Sequence, residues 1–182
     1  SAMTRSERQQ TGQATVTISR RFLLAAGAAA ALPLGACAQS KFRNYSGPPV
    51  TSVLVYKGQR RLHLMSGSEA LRSYRIELGF APVGPKRQEG DGRTPEGSYV
   101  IDRRNPNSQY HLSVGISYPD EEDKARAAAM GVPPGGDIFI HGTPREKRGQ
   151  DDWTAGCIAV SNREVEDIYA MVRDGTPVHL FP

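Results

Sequence analysis

From residue 50 onward the chain consists of short apolar stretches separated by turns, and this alternation limits the fold more than any other feature. The whole chain of 182 residues contains 19 glycines and 13 prolines, and most of them lie in these turns. Strands are predicted at 50–56, 61–65, 74–78, 98–102, 110–118, 137–140, 158–160 and 177–181. Helical spacing occurs at 120–130 and 161–172. The expected fold is a mainly β domain, a sandwich or open barrel with long loops and two short helices.

The stretch most indicative of chemistry joins a histidine to a cysteine. His141-Gly142 follows the strand predicted at 137–140, a charged loop covers 143–152, and a Thr-Ala-Gly-Cys turn ends at Cys157. The loop can fold back and bring the imidazole beside the thiol. An ordinary cysteine, with a pKa of about 8.5, is only a few per cent thiolate at neutral pH, so a neighbouring imidazole makes it a nucleophile.

Glycines on both sides of this loop suit a peptide substrate. Gly142 and Gly156 leave room for its backbone, and the N–H groups of Gly156 and Cys157 are predicted to face an oxyanion. The Gly142 carbonyl is predicted to orient His141. A buried small hydrophobic residue is the alternative role for the cysteine.

These residues match a known pattern. The positions His141, Gly142, Thr154, Gly156, Cys157, Ile158, Val160 and Asn162 resemble the catalytic signature of the YkuD-type L,D-transpeptidases. The resemblance extends from about 50 to 182, and Asp-Trp-Thr at 152–154 looks most like the YafK-related branch. It implies a β-sandwich with long loops and two short helices. It also implies that the cysteine forms a thioester with a peptidoglycan stem peptide, without a cofactor.

Two positions depart from the family pattern and leave the acceptor open. Ala155 stands where most members have a second histidine, and Ala159 where they have an arginine. The acyl group could pass to an amine of a second stem peptide, a wall-anchored protein's lysine or a D-amino acid. Water as acceptor would make the protein a hydrolase. A catalytically silent wall-binding module is the alternative that is not an enzyme.

Further residues are candidates for the cleft wall. Asp152, Trp153 and Tyr118 are predicted to contact an amine or peptide, and the alternative is a charged loop with a buried aromatic residue. The Gly/Pro-rich segment 79–97 is predicted to be an ordered loop that supports the cleft. His63, His111 and His179 are placed on the polar faces of strands. No two histidines have a metal-ligand spacing, so no metal is predicted.

The N-terminal residues indicate export. Ser1-Ala2 before Met3 is interpreted as an expression remnant, and the twin arginines followed by a short apolar run predict a signal peptide within 1–38. Cys37 lies in a lipobox-like sequence, so lipidation there and simple cleavage are the two outcomes considered. Lipidation would provide the domain's membrane contact. A linker at 39–49 and a catalytic domain at 50–182 would then lie in the periplasm or cell envelope.

The charge distribution gives no reason to expect nucleic-acid binding. Of the formal net charge of +4, residues 1–38 contribute +3, so the remainder is nearly neutral. Clusters of lysine and arginine with aromatic platforms, which nucleic acids require, are absent from this remainder.

Overall fold

The computed structural model describes residues 40–182. The predictions for 1–38, including the signal peptide and lipidation at Cys37, lie outside these residues. Within 40–182 no helix is long and apolar enough to cross a membrane.

Eight strands form one curled sheet in the order β3-β2-β1-β8-β4-β5-β6-β7. Their bounds are β1 Ser52–Tyr56, β2 Arg61–Ser66, β3 Glu69–Arg75, β4 Gly97–Asn105, β5 Ser113–Ile116, β6 Phe139–His141, β7 Ile158–Ala159 and β8 Pro177–Phe181. The β1/β8 and β6/β7 pairs are parallel, and the others are antiparallel. The predicted mainly β fold with two helices is confirmed.

Strand β4 causes the curl. Its first residues pair with β8, and its residues from Ile101 onward pair with β5, with a register shift between Ile101 and Arg103. A bulge of this kind bends a strand and increases its twist. The strand continues past the predicted end at residue 102, because it pairs first with β8 and then with β5.

The prediction for the third strand was wrong in position. The strand runs over Glu69–Arg75, rather than 74–78, after a turn at Gly67 with φ +58°. It is an exposed edge strand, so most of its residues carry no apolar alternation. The remainder of the predicted strand, residues 76–78, continues toward the opposite edge of the sheet. There Glu77 exchanges two backbone hydrogen bonds with Ala159 (2.9 and 2.8 Å).

Both helices begin with a capping box. Helix α1 spans Glu121–Ala129 with Asp120 as N-cap, and α2 spans Asn162–Met171 with Ser161 as N-cap. In α2 the side chain of Glu164 bonds back to the Ser161 N–H (2.8 Å), as predicted. The buried face of α2 packs against β5 and β6, so this helix supports the strand that ends in His141.

The Gly/Pro-rich segment before β4 is a loop, as predicted, and a buried lysine holds it. Lys57, only 2% exposed, donates to the carbonyls of Gly84 (2.6 Å) and Thr94 (2.9 Å) and pairs with Glu96 at 2.8 Å. The loop then reaches the cysteine turn, since Arg93 O lies 2.7 Å from where a Cβ on Gly156 would be.

Two other segments differ from expectation. His111 lies in a loop with φ +77°, not in a strand, because β5 begins only at Ser113. Residues 40–49, expected to be a linker, contain no strand or helix, yet Arg43 joins this segment to α2 through Glu166 (2.6 Å) and Asp167 (2.7 Å).

Candidate active site

The sheet register brings the histidine and the cysteine together. His141 ends β6, where it pairs with Ser113 of β5 and Ala159 of β7. Cys157 directly precedes β7. Both residues line one cavity of about 460 Å³, whose wall also contains Tyr110, Ser113, Asp137 and Phe139.

The imidazole of His141 is buried and held on several sides. Its Nδ1 lies 2.7 Å from Gly142 O, as predicted. Because a carbonyl can only accept, Nδ1 carries the proton and Nε2 is the basic nitrogen. The Tyr110 ring stacks on the imidazole at 4.4 Å and 21°, and Trp153 packs at 5.6 Å. Burial lowers the pKa of His141, so the imidazole is neutral at neutral pH.

The thiol of Cys157 is half-buried and protonated at rest. Burial raises its pKa, against a smaller lowering by the backbone N–H of Phe139. The Sγ–H donates to Asp137 O at 3.4 Å. Within residues 40–182 no hydrogen bond joins Sγ to His141. The resting pair is therefore a neutral thiol and a neutral imidazole, and the thiol must turn from Asp137 before the imidazole can accept its proton.

Thr154 stabilises the cysteine turn from inside. It is 4% exposed, and its hydroxyl donates to Cys157 O (2.7 Å) and accepts the Gly156 N–H (3.1 Å). The prediction that the Gly156 N–H faces an oxyanion was wrong, because Thr154 already occupies it. The Cys157 N–H remains the predicted donor. Thr154 positions the turn, and its hydroxyl is not available to a substrate.

Two predicted cleft residues have structural contacts instead. The Asp152 carboxylate pairs with Arg60 (2.6 and 2.9 Å) and accepts the Leu78 N–H at 3.0 Å. Tyr118 is 4% exposed and donates to Pro134 O at 2.9 Å, and burial raises its pKa to about 12. Neither lines the Cys157 cavity.

Trp153 and Asn162 line a second, larger cavity of about 560 Å³ that does not include Cys157. The Trp153 Nε1–H and the Asn162 Oδ1 are both buried and lack a hydrogen-bond partner among the described residues. Both atoms are shielded from solvent, so they lie in the wall behind the cavity surface. Asn162 Oδ1 also lies where a Cβ on residue 142 would be, so the turn after His141 requires glycine.

Sequence reasoning did not identify Tyr110, Asp137 or Phe139 as site residues. Their proximity to the cysteine depends on strand register and on long-range stacking, which leave no local signal. Within residues 40–182, no group of three or more His, Cys, Asp or Glu side chains could hold a metal ion.

Comparison with known proteins matches the domain to a described family. The family model for the YkuD L,D-transpeptidase catalytic domain matches residues 51–180. A protein of Escherichia coli (strain K12) named "Putative L,D-transpeptidase YafK" is 30% identical over 132 residues, which cover 69% of this chain and 48% of that protein. The chain thus spans about half the length of the curated relatives it matches.

Solved structures agree with this fold. The helical cell shape determining protein Pgp2 from Campylobacter jejuni is 30% identical with a TM-score of 0.58, over 75% of this chain and 49% of that one. Bd1075 from Bdellovibrio bacteriovorus, 22% identical with a TM-score of 0.54 over 77% of this chain and 50% of its own, shares the fold.

Proposed function

The chain belongs to the YkuD family of L,D-transpeptidase catalytic domains, and from this membership we propose that it is a cysteine-dependent acyltransferase acting on peptidoglycan stem peptides. The observation that supports this proposal most is the cavity shared by Cys157 and His141. The hydrogen bond from His141 Nδ1 to the Gly142 carbonyl leaves Nε2 free as a base.

The proposed reaction has two halves. In the first, Cys157 Sγ loses its proton to His141 Nε2 and attacks the carbonyl of the third stem residue, with the Cys157 N–H facing the oxyanion. The C–N bond then breaks, His141 returns the proton to the leaving amine, and a thioester remains. In the second half, an amine attacks the thioester and His141 takes its proton. The C–S bond then breaks, and His141 returns the proton to Cys157 Sγ, which restores the thiol.

A hydrolase on the same scaffold is the second candidate. Ala155 and Ala159 replace the family's usual histidine and arginine, so two polar contacts to a substrate or acceptor peptide are missing. Water would then attack the thioester.

We place this activity in the cell envelope, where peptidoglycan lies. Pgp2 is described as determining helical cell shape. A similar contribution to wall organisation and cell shape is proposed for this chain, with peptidoglycan stem peptides as its partner.

The test is mass spectrometry of soluble muropeptides incubated with residues 40–182, because this part folds around its own core. We expect new crosslinked dimers or D-amino-acid exchange, and none with Cys157→Ala. That substitution removes one small sulfur atom from a half-buried site, so circular dichroism should show an unchanged fold.

A carbapenem gives a second readout of the same nucleophile. It should add its mass to the wild-type domain and not to Cys157→Ala. Shortened peptides without crosslinks would show that water is the acceptor and that the protein is a hydrolase. Turnover retained by Cys157→Ala would contradict the proposed cysteine mechanism.

A further inference from the structure

The position where the family pattern has arginine offers no cation here. Ala159 is fully buried, at 0% exposure, and it lies beside His141 in the β6/β7 pair. A peptide whose leaving residue ends in a carboxylate nevertheless brings a negative charge close to the thiol, since that carboxylate is two bonds from the leaving nitrogen. A cation from another part of the sheet would have to pair with this carboxylate.

The register places Arg103 in line with the cysteine. Arg103 of β4 pairs with Gly115 of β5, and Gly115 pairs with Phe139 of β6. Ile140 pairs with Ile158, so Cys157 lies next to Phe139. Arginine, glycine, phenylalanine and cysteine therefore form one row across four neighbouring strands. Paired residues lie on the same face of a sheet, and this face contains the cavity.

The β4 bulge turns the arginine onto this face. Ile101 pairs with Ile116, and both are fully buried in the core. In a regular strand Arg103 would share the core face with Ile101, two residues before it. The register shift between them adds one residue, which moves Arg103 to the opposite face.

Gly115 gives the side chain a path toward the nucleophile. A Cβ on this glycine would lie 2.8 Å from Arg103 Nε and closer still to Cγ, so the arginine can extend across β5 only over a glycine. The guanidinium carbon ends 4.6 Å above the centre of the Phe139 ring. Neighbouring strands are about 4.8 Å apart, and Phe139 lies in the strand next to Cys157, so the guanidinium lies over the residue adjacent to the cysteine.

The present partners of this guanidinium are weak. It pairs with the adjacent Asp102 at 2.8 Å, where both side chains are more than a third exposed, and with Asp137 at 3.5 Å, whose side chain is 92% exposed. Such exposed pairs contribute little. The neighbouring Arg104, by contrast, bonds to two carbonyls at the end of α2 and packs 4.0 Å from the Tyr169 ring.

We propose that Arg103 binds the carboxylate of the leaving residue of the substrate peptide, replacing the cation missing at position 159. A guanidinium fork matches a carboxylate in two parallel hydrogen bonds, which would hold the scissile carbonyl near Cys157. The positive effect of Arg103 on thiol ionisation agrees with this location, because its charge acts to lower the pKa of Cys157 against burial. This inference rests on the proposed function.

The test compares two tetrapeptide stems that end in D-alanine, one with a free carboxylate and one with a carboxamide. Arg103→Gln should lower kcat/KM for the carboxylate peptide by about 10- to 100-fold, the range of a lost charge-assisted contact, and barely change the carboxamide peptide. Arg103→Lys should recover part of the loss. Arg61→Gln, an equal charge change at an exposed position of β2, is the matched control and should leave both rates unchanged.

A second variant moves the arginine without removing it. Gly115→Ala should displace the guanidinium and produce the same selective loss, with folding checked by thermal unfolding. Equal losses on both peptides, or no loss, in Arg103→Gln would overturn the inference and leave the proposed function intact. A wild-type domain that processes neither peptide would overturn the proposed function, and this inference with it.

Discussion

At the scale of single residues, the aromatic packing around His141 matters most for chemistry. Burial holds the pKa of the imidazole below its usual 6.5. This imidazole thus remains neutral at pH values where an exposed histidine would be protonated. The same shift affects stability, because the unfolded chain binds the proton more readily below pH 6.5. The contribution of His141 to folding stability is present above that pH and is lost as the pH falls toward the folded-state pKa.

Removing the stacked ring should therefore move the acid limb of activity. With Tyr110→Leu, water reaches the imidazole, and the acid limb of kcat/KM should shift upward by about 0.5 to 1 pH unit toward the ordinary value. Tyr110→Phe retains the stack at 4.4 Å and is the matched control, with no shift expected. A wild-type acid limb in Tyr110→Leu would show that Tyr110 does not set the pKa of His141.

At the scale of elements, the loop before β4 depends on one buried ion. Lys57 supplies all three hydrogens of its ammonium group to Gly84, Thr94 and Glu96. Burial lowers its pKa despite the neighbouring carboxylate. Burial disfavours the charge, whereas the three acceptors favour the protonated ammonium, and these bonds hold the loop against the cysteine turn.

Lys57→Met should destabilise the domain by about 3 kcal/mol, because it leaves a carboxylate and two carbonyls without their donor. Urea unfolding measures this loss. The rate of Cys157 alkylation by iodoacetamide should rise as the loop loosens. Adding Glu96→Gln removes the unpaired charge and should restore part of the stability. If the double variant were less stable than Lys57→Met, the ion pair would not be the reason for the loss.

At the scale of the whole molecule, the sheet builds the site by bringing its two edges together. The segment after β3 bonds to the nucleophile segment through Glu77–Ala159 and through Thr154 N–H to Leu78 O at 3.1 Å. Asp152 adds an ion pair to Arg60, in the turn between β1 and β2. The cysteine turn, at the β7 edge of the sheet, is thus bonded to residues that follow β3 and to the turn between β1 and β2.

Asp152→Asn tests whether this residue belongs to the closure or to the substrate site. Asparagine tolerates the left-handed backbone at φ +45°, so the substitution isolates the charge. The free energy of unfolding should fall by about 1–3 kcal/mol, while KM for the peptide stays unchanged. Asp151→Asn is the control, since that side chain is 80% exposed and should have little effect. A raised KM with unchanged stability would show that Asp152 binds the substrate, as predicted from the sequence.

Features with a local signature were predictable from the sequence. The β1/β2 hairpin, β8 and the capping box of α2 follow from alternation, turn residues and spacing, and the contact of His141 with Gly142 follows from their adjacency. The third strand was misplaced because an exposed edge strand carries no apolar alternation. Asp152 and Tyr118 were assigned to the substrate because nothing local shows that a side chain is already bonded within the fold.

By itself the sequence determined the fold class and the family, since short-range pattern and residue type are sufficient for both, and it predicted the nucleophile and the base. Only the tertiary structure decided which groups surround the thiol. Phe139 lies beside it through strand register, and Tyr110 lines the same cavity by stacking on His141. Arg103 lies over the Phe139 ring because of a bulge on a strand more than fifty residues before the cysteine. The physical reason is that register and curl are set by the packing of the whole sheet, and no stretch of chain carries that information alone.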